Sequence, residues 1–129
     1  MNKVLLVEDE RILALALRHE LQQRGYEVIG IATNAPDAIA LARGQQPDYV
    51  IMDISIEGKL DGVQTADALA AFCTAPIIYL TGESDMKTRI RAMKAQNARA
   101  YLTKPGDVDL IQQELVLARN ALVEAMRAK

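Results

Sequence analysis

The sequence predicts an α/β domain in which one sheet of five parallel strands is covered by helices on both faces. Short apolar runs rich in β-branched residues recur along the chain, and segments with helical apolar spacing separate them. The runs are continuous rather than alternating, which is typical of strands buried on both faces of a parallel sheet. Crossovers between parallel strands are long and right-handed, so we expect the order βαβαβαβαβα.

The strands are predicted from the apolar runs themselves. They lie at residues 4–7, 26–31, 49–52, 77–80 and 98–102. With 129 residues, 50% of them hydrophobic and none in a low-complexity tract or repeat, the chain predicts a single domain over residues 1–129.

The helices are predicted from capping residues and apolar spacing. Asn34 and Pro36 predict the start of the second helix. Gly25 and Gly44, each after an arginine, predict the ends of the first and second helices. The apolar positions are Ile12, Leu13, Ala16, Leu17 and Leu21 in the first helix, Val63, Ala66 and Leu69 in the third, Met86, Ile90 and Met93 in the fourth, and Val108, Ile111, Leu115, Ala118, Leu122 and Ala125 in the fifth, whose stripe we assign to the sheet.

Charge and cysteine content exclude several functional classes. The net charge is −2 and the pI about 5.4, so neither a direct nucleic-acid site nor a polybasic membrane patch is expected. The first apolar run has four residues and then turns acidic, which is too short for a signal peptide or a membrane span. Cys73 is the single cysteine and cannot form an internal disulfide. We therefore expect a cytoplasmic protein.

Polar residues follow four of the five predicted strands. Ligands of open α/β sheets bind beyond the carboxyl ends of the strands, so these side chains are expected to share one edge of the sheet. The groups are Glu8, Asp9 and Glu10 after the first strand, Asp53 after the third, Thr81 and Gly82 after the fourth, and Thr103, Lys104 and Pro105 after the fifth.

The chemistry of this set predicts phosphoryl transfer onto a carboxylate. Two carboxylates about 4 Å apart repel by about 4 kcal/mol at an effective dielectric constant of 20, so Glu8, Asp9 and Asp53 require a cation. An oxygen site with few protein ligands suits Mg²⁺, which also binds phosphate oxygens. Lys104 supplies a second positive charge and Thr81 a hydroxyl donor. Asp53 stands alone after a central strand and is the predicted nucleophile, whereas the adjacent Glu8 and Asp9 are the predicted metal pair.

These motifs resemble the receiver domain of two-component response regulators. The resemblance covers VLLVEDE at 4–10, PDYVIMD at 47–53, Asp-Gly at 61–62, IIYLTG at 77–82 and AYLTKP at 100–105. It implies a flavodoxin-like sheet of order 2-1-3-4-5. It also implies a signalling switch rather than a conventional enzyme, which receives a phosphoryl group from a histidine kinase or phosphotransfer protein and catalyses its own phosphorylation and dephosphorylation.

The resemblance also assigns roles to individual residues. Asp53 matches the phosphoacceptor, and Lys104 matches the lysine of the family's site. The backbone carbonyl of Ser55 would join Glu8, Asp9 and Asp53 as a Mg²⁺ ligand, the amides of Ser55 and Gly82 would bind phosphoryl oxygens, Thr81 and Tyr101 match the switch pair, and Pro105 would follow a cis peptide bond.

Two positions depart from the family pattern. The loop from Asp53 to Asp61 is one residue longer than is common, and Glu57 occupies a position where many receivers have proline, which leaves the path of the loop open. Asn97 replaces a glycine before the fifth strand, and asparagine tolerates the left-handed conformation better than most residues.

Some of these residues also have simpler interpretations. Glu10 fits an acidic residue that complements a helix dipole. Tyr101 could be a half-buried strand residue with no switching role. His19 has no metal-ligand or nucleophile neighbour in the sequence, and it is interpreted as a surface residue.

The predicted output is protein contact, because no effector region is recognised in the chain. Leu110, Leu117 and Ala121 form a second stripe on the fifth helix. In receivers, the fourth helix, fifth strand and fifth helix form a face on which partners or a second copy often dock. That face would include Tyr101 here, and it predicts a downstream protein target or a homodimer.

The alternative function is a flavodoxin-like carrier of a small ligand such as a flavin. Its phosphate would require hydroxyls and free amides after the first strand, where this chain has Glu-Asp-Glu. With no tryptophan and one phenylalanine, the chain also offers few rings to stack on a flavin.

Overall fold

The structure, a computed structural model that describes residues 1–128, has five strands and five helices in strict alternation. The parallel sheet has the order β2-β1-β3-β4-β5, and the predicted flavodoxin-like architecture is thus confirmed. The elements are β1 (Lys3–Val7), α1 (Arg11–Gln23), β2 (Glu27–Ala32), α2 (Ala35–Gln45), β3 (Tyr49–Met52), α3 (Gly62–Leu69), β4 (Ile77–Thr81), α4 (Met86–Met93), β5 (Ala98–Thr103) and α5 (Val108–Arg127).

Each face of the sheet has its own apolar core, because successive strand side chains point to opposite sides. On β1, Leu5 and Val7 belong to one core, whereas Val4 and Leu6 belong to the other. The first core is completed by α2, α3 and α4, and the second by α1 and α5. The strands β1, β3 and β4 are buried almost throughout, as a doubly covered sheet requires.

Register aligns the carboxyl ends of β1 and β3, whereas β4 continues beyond them to Thr81. Val7 pairs with Met52, and Met52 pairs with Tyr79. At the next pair of strands, Thr81 is opposite Thr103. The residues that follow these strands therefore emerge at a common edge of the sheet.

The predicted helix boundaries are mostly confirmed, with one exception. Asn34 caps α2 by accepting a hydrogen bond from the Asp37 amide at 2.9 Å, and Gly25 has a φ of 90° after α1. Gly44 does not end α2. The helix continues to Gln45, and Gln46 adopts the left-handed conformation with a φ of 46°.

Three helices expose side chains that their apolar spacing assigns to the core. On α1, the predicted Leu17 and Leu21 are buried together with Ala14, whereas Ile12 is 86% exposed and Ala16 is also exposed. The three predicted positions of α4 also point outward, because Ala92 is the side chain of this short helix that is buried against the sheet; the outward ones are Met86, Ile90 and Met93. On α5, Leu122 and Ala125 are exposed because the last buried contact of the helix is at Ala118.

Within residues 1–128, no helix is both long enough and apolar enough to cross a bilayer.

Candidate functional site

Two central strands position the principal carboxylates. The backbone amide of Asp53 donates to the Val7 carbonyl oxygen at 2.9 Å, and the amide of Glu8 donates to the Ala32 carbonyl oxygen at 2.8 Å. These bonds extend the parallel ladder one residue beyond the ends of β3 and β1. Both side chains are consequently held at the sheet edge and are buried.

The three predicted carboxylates converge. Glu8, Asp9 and Asp53 each offer a carboxylate oxygen within 4.8 Å of the others. Asp9 is the more accessible of the three, whereas Glu8 and Asp53 are buried. The predicted cluster therefore exists as a compact set of three carboxyl groups.

Lys104 contacts two of the three carboxylates of this cluster. Its ammonium contacts Asp53 Oδ2 at 2.8 Å and Glu8 Oε1 at 2.7 Å, and it lies 3.6 Å from Glu10 Oε2. Lys104 directly follows β5, where its amide donates to the Thr81 carbonyl oxygen at 2.9 Å. The Lys104–Pro105 peptide bond is cis.

Burial and pairing perturb the charges of this cluster. Burial raises the pKa of the Glu8 carboxyl to about 7, against the opposing effect of the hydrogen bond from Lys104. Burial alone would lower the pKa of the Lys104 ammonium, but its hydrogen bonds to Asp53 and Glu8 outweigh that effect and hold the pKa above its usual range. The lysine therefore stays charged, and the cluster keeps one internal cation.

The donor set fits a hard divalent cation. Carboxylate oxygens on Glu8, Asp9 and Asp53 are ligands that Mg²⁺ prefers, and the accessible side of Asp9 leaves room for water and phosphate oxygens. Ser55, whose carbonyl oxygen is the further predicted ligand, is two residues after Asp53 and is exposed. Its backbone amide donates a hydrogen bond to Asp53 Oδ1 at 3.3 Å.

The predicted hydroxyl donor lies at the same edge. Thr81 is the last residue of β4, is fully buried, and accepts a 3.3 Å hydrogen bond from the Glu83 amide through Oγ1. Gly82 follows in an exposed position with open space where a Cβ would be. The two residues therefore lie at the carboxyl end of β4.

Glu83 links several of these residues and was not predicted. Its carboxylate accepts a 2.9 Å hydrogen bond from Ser55 Oγ, and its carbonyl oxygen accepts one from the Tyr101 hydroxyl. Its contacts depend on the path of the loop after β4, and no sequence pattern indicates that path. The sequence indicated Glu10 only as an acidic residue that complements a helix dipole. In the structure, its carboxylate also lies near the Lys104 ammonium.

Tyr101 lies inward in this structure. Its side chain is buried on β5, its ring centroid is 5.9 Å from that of Tyr79, and the Arg89 guanidinium lies 5.7 Å from the ring centroid. The hydroxyl reaches Glu83 in the loop after β4. The two predicted switch residues are therefore connected through one short loop.

The longer loop after Asp53 has a defined path. The Glu57 amide donates to the Thr33 carbonyl oxygen at 3.0 Å, and Glu57 forms an isolated parallel bridge with Asn34. Thus the added length lies against the start of α2. At the far end of the loop, a Cβ on Gly62 would be 2.0 Å from the Asp53 carbonyl oxygen, so glycine is needed there for α3 to begin close to the end of β3.

Asn97 does not adopt the left-handed conformation, although asparagine tolerates that conformation better than most residues. Among residues 1–128, Gln46 is the non-glycine residue with positive φ. The side-chain amide of Asn97 instead donates to the Cys73 carbonyl oxygen at 2.9 Å. The residue therefore ties the segment before β5 to the segment after α3.

The predicted partner face lies apart from the acidic cluster. Leu110, Leu117 and Ala121 are all exposed on α5. A groove between α4 and α5 is lined by Met93, Tyr101 and Leu110. The predicted switch residue Tyr101 and the predicted contact residue Leu110 therefore line the same groove.

Comparison with known proteins identifies the family. Residues 4–116 match the model of the response regulator receiver domain. The chain belongs to this family. Response regulators interact with histidine kinases or phosphotransfer proteins, and this membership favours a signalling switch over the flavin carrier.

Individual relatives agree with this assignment. The transcriptional regulatory protein PdtaR of Mycobacterium tuberculosis is 36% identical over 130 residues, which cover 99% of this chain and 62% of PdtaR. Protein PilH of Pseudomonas aeruginosa is 35% identical over 114 residues, or 86% of this chain and 92% of PilH. The chain thus spans less than two thirds of PdtaR.

A solved structure shows the same fold. The signal receiver domain of a modulated diguanylate cyclase from Desulfovibrio desulfuricans G20 superposes with a TM-score of 0.82 and 40% sequence identity. The superposition covers 90% of this chain and 91% of that domain. The overall fold of this chain is therefore similar to that of a solved receiver domain.

Proposed function

We propose that this receiver takes a phosphoryl group from a phosphohistidine onto Asp53 in a Mg²⁺-dependent reaction. The observation that carries the proposal is the contact of one lysine with the predicted acceptor and with a predicted metal ligand. Lys104 lies 2.8 Å from Asp53 and 2.7 Å from Glu8. Phosphoryl transfer requires positioning and charge neutralisation, and this arrangement supplies both.

The reaction would proceed at the Asp53 carboxylate. A carboxylate oxygen attacks phosphorus, the bond between phosphorus and the histidine nitrogen breaks, and the imidazole leaves with that electron pair. Lys104 would bind a phosphoryl oxygen, and Thr81 and the amides of Ser55 and Gly82 would donate hydrogen bonds to the others. When bound by Glu8, Asp9 and Asp53, Mg²⁺ would neutralise the added negative charge. Hydrolysis of the acyl phosphate by water would return the site to its initial state.

The output would be a change in protein contacts. Phosphorylated Asp53 would hold Thr81 inward, Tyr101 would occupy the space beside it, and the face between α4 and α5 would change shape. We propose that a downstream protein or a second copy docks on this face, which includes Leu110, Leu117 and Ala121. Residues 1–129 would act as one receiver domain.

Mass spectrometry with a small phosphodonor tests the acceptor. Incubation with acetyl phosphate and Mg²⁺ should add one phosphoryl group to the wild-type protein and none to Asp53→Asn. The variant should keep the wild-type circular dichroism spectrum, because asparagine is nearly isosteric with aspartate.

Asp48→Asn is the matched control. Asp48 precedes β3 and Asp53 follows it, so the two carboxylates lie at opposite ends of the same strand. Asp48→Asn should be modified as the wild type is. Modification of Asp53→Asn at an unchanged level would overturn the proposed acceptor.

A further inference from the structure

Tyr79 has an unpaired hydroxyl in the core beneath the proposed output face. The side chain is fully buried, and among the described residues its hydroxyl forms no hydrogen bond. Buried tyrosine hydroxyls normally have a partner, because the desolvated group loses its bonds to water. The conformation shown here therefore leaves the Tyr79 hydroxyl unfavourably desolvated.

The surroundings of Tyr79 connect it with the switch residue. Tyr79 pairs with Tyr101 in the register of β4 and β5, and the ring centroids are 5.9 Å apart with a tilt of 41°. The two rings thus cover each other in the core that lies under α3 and α4. Displacement of the Tyr101 ring would uncover the side of Tyr79 that faces it.

Other groups near the hydroxyl do not satisfy it. Arg91 on α4 and Asp61 at the start of α3 are paired with each other at 2.6 Å. Asp67 on α3 is exposed. Burial, together with the negative charges of Asp67 and Asp61, holds the pKa of Tyr79 above its usual range, so the hydroxyl keeps its proton and remains an unmatched donor.

We propose that Tyr79 opposes the inward position of Tyr101, because its hydroxyl is without a partner in the inward state and gains water when Tyr101 swings out. The residue would act through Tyr101 as a positioning residue. In the unphosphorylated receiver, Tyr79 would favour the outward position of Tyr101. Phosphorylation would shift the equilibrium to the inward position. This inference rests on the switch role proposed for Tyr101.

Tyr79→Phe separates the hydroxyl from the ring. The variant keeps the aromatic contact with Tyr101 and removes only the unpaired group. Its melting temperature should rise, since the structured core no longer buries an unsatisfied donor. The ratio of inward to outward Tyr101 in the unphosphorylated protein should increase about tenfold, as expected for one hydrogen bond in the competing state.

Fluorine NMR of protein labelled with 3-fluorotyrosine measures that ratio. The chain has four tyrosines, so single Tyr→Phe variants assign each signal. Titration with beryllofluoride and Mg²⁺, a phosphoryl mimic, provides the reference for the inward state. The variant should also bind this mimic more tightly, by the same factor of about ten.

Tyr49→Phe is the matched control. Tyr49 is also buried, but its hydroxyl donates to the Met1 carbonyl oxygen at 3.3 Å. Its removal should not raise the melting temperature and should leave the Tyr101 signals unchanged.

Two results would overturn the proposal. A lower melting temperature of Tyr79→Phe would show that the hydroxyl has a partner in the folded protein. A higher melting temperature with unchanged Tyr101 signals and unchanged mimic affinity would show that the hydroxyl is equally unpaired in both states. Acetyl phosphate labelling of Asp53 in the same variant tests the proposed function separately.

Discussion

At the scale of single residues, Lys104 balances carboxylates that would otherwise repel one another. Asp53 and Glu8 are both buried, and each lies within 2.8 Å of the ammonium. Removal of one partner from a buried ion pair costs about 3–5 kcal/mol, because the remaining charge has no compensation. Lys104 is therefore expected to stabilise the protein without metal as well as to serve phosphoryl transfer.

We expect Lys104→Met to be strongly destabilised in the absence of divalent cations. Urea unfolding should show a loss of about 3–5 kcal/mol, and Mg²⁺ should restore part of it by supplying another cation. Lys94→Met, at an exposed position after α4, should stay within about 0.5 kcal/mol of wild type. A Lys104→Met protein as stable as this control would contradict the balancing role.

The sequence predicts the acidic cluster well but not all of its contacts. Glu8, Asp9 and Asp53 could be predicted to share one edge because the carboxyl ends of all strands in a parallel sheet lie at the same edge. Glu83 could not, since its contacts with Ser55 and Tyr101 arise where two loops approach each other. Residues on loops lack the periodicity that locates strand ends.

At the scale of elements, Asp61 connects the loop after β3 to two helices. Its carboxylate accepts a hydrogen bond from the Gln64 amide in a capping box at the start of α3, and it also pairs with Arg91 of α4 at 2.6 Å. Burial acts to raise the pKa of Asp61, but the hydrogen bonds from Arg91 and Gln64 outweigh it and lower the pKa below the usual value. The charged form is therefore favoured by folding.

Protonation of Asp61 should make the free energy of unfolding depend on pH. A carboxyl whose pKa is lowered in the folded state contributes stability above its unfolded pKa, and that stability is lost as the pH falls through the folded pKa. The unfolding free energy of wild type should thus decrease below about pH 4. Asp61→Asn keeps an acceptor for the cap but has no charge, so its decrease should be smaller in urea titrations.

Asp61→Ala provides the comparison. It loses the cap as well, and its stability at neutral pH should fall by about 1 kcal/mol. An identical acid dependence in wild type and Asp61→Asn would show that the charge of Asp61 does not contribute.

Helix faces were less predictable than strands. A continuous apolar run buries both faces of a strand, so the run itself defines the element. A short helix buries only one side, and on α4 the small Ala92 fills that side while Ile90 is 50% exposed. Apolar spacing locates such a helix but does not show which stripe meets the sheet.

Leu117→Glu tests the exposed stripe on α5 as a contact surface. Leu117 is 44% exposed, so the substitution should leave the melting temperature nearly unchanged. We expect it to weaken association in the presence of beryllofluoride, either of two copies or with a partner, because a charge would lie in an apolar contact. Sedimentation velocity and phosphorylation of Asp53 are the two measurements.

Leu15→Glu, at a similarly exposed leucine on α1, is the control for a general effect of surface charge. Unfolding of Leu117→Glu with unaltered association would assign Leu117 to the core instead.

At the scale of the whole molecule, strand order determines where the site forms. The crossover lengths predict a parallel sheet, but they allow several strand orders, so the order 2-1-3-4-5 was expected from family resemblance alone. The structure places β1 and β3 side by side. Glu8 and Asp53 consequently follow neighbouring strands. The stability of the whole domain therefore depends on how the charges at this edge of the sheet are balanced.

Metal binding should therefore stabilise the entire domain. A ligand that binds only the folded state adds RT ln(1 + [L]/Kd), or about 2.7 kcal/mol at a hundredfold excess over Kd. The melting temperature of wild type should rise steadily with the logarithm of Mg²⁺ concentration above Kd. Asp9→Asn should respond much less, since it lacks one of three carboxylates, yet without metal it should be at least as stable as wild type because repulsion is reduced. A wild-type melting temperature that does not change with Mg²⁺, or an Asp9→Asn protein that is less stable without metal, would contradict a repulsive acidic cluster that binds the cation.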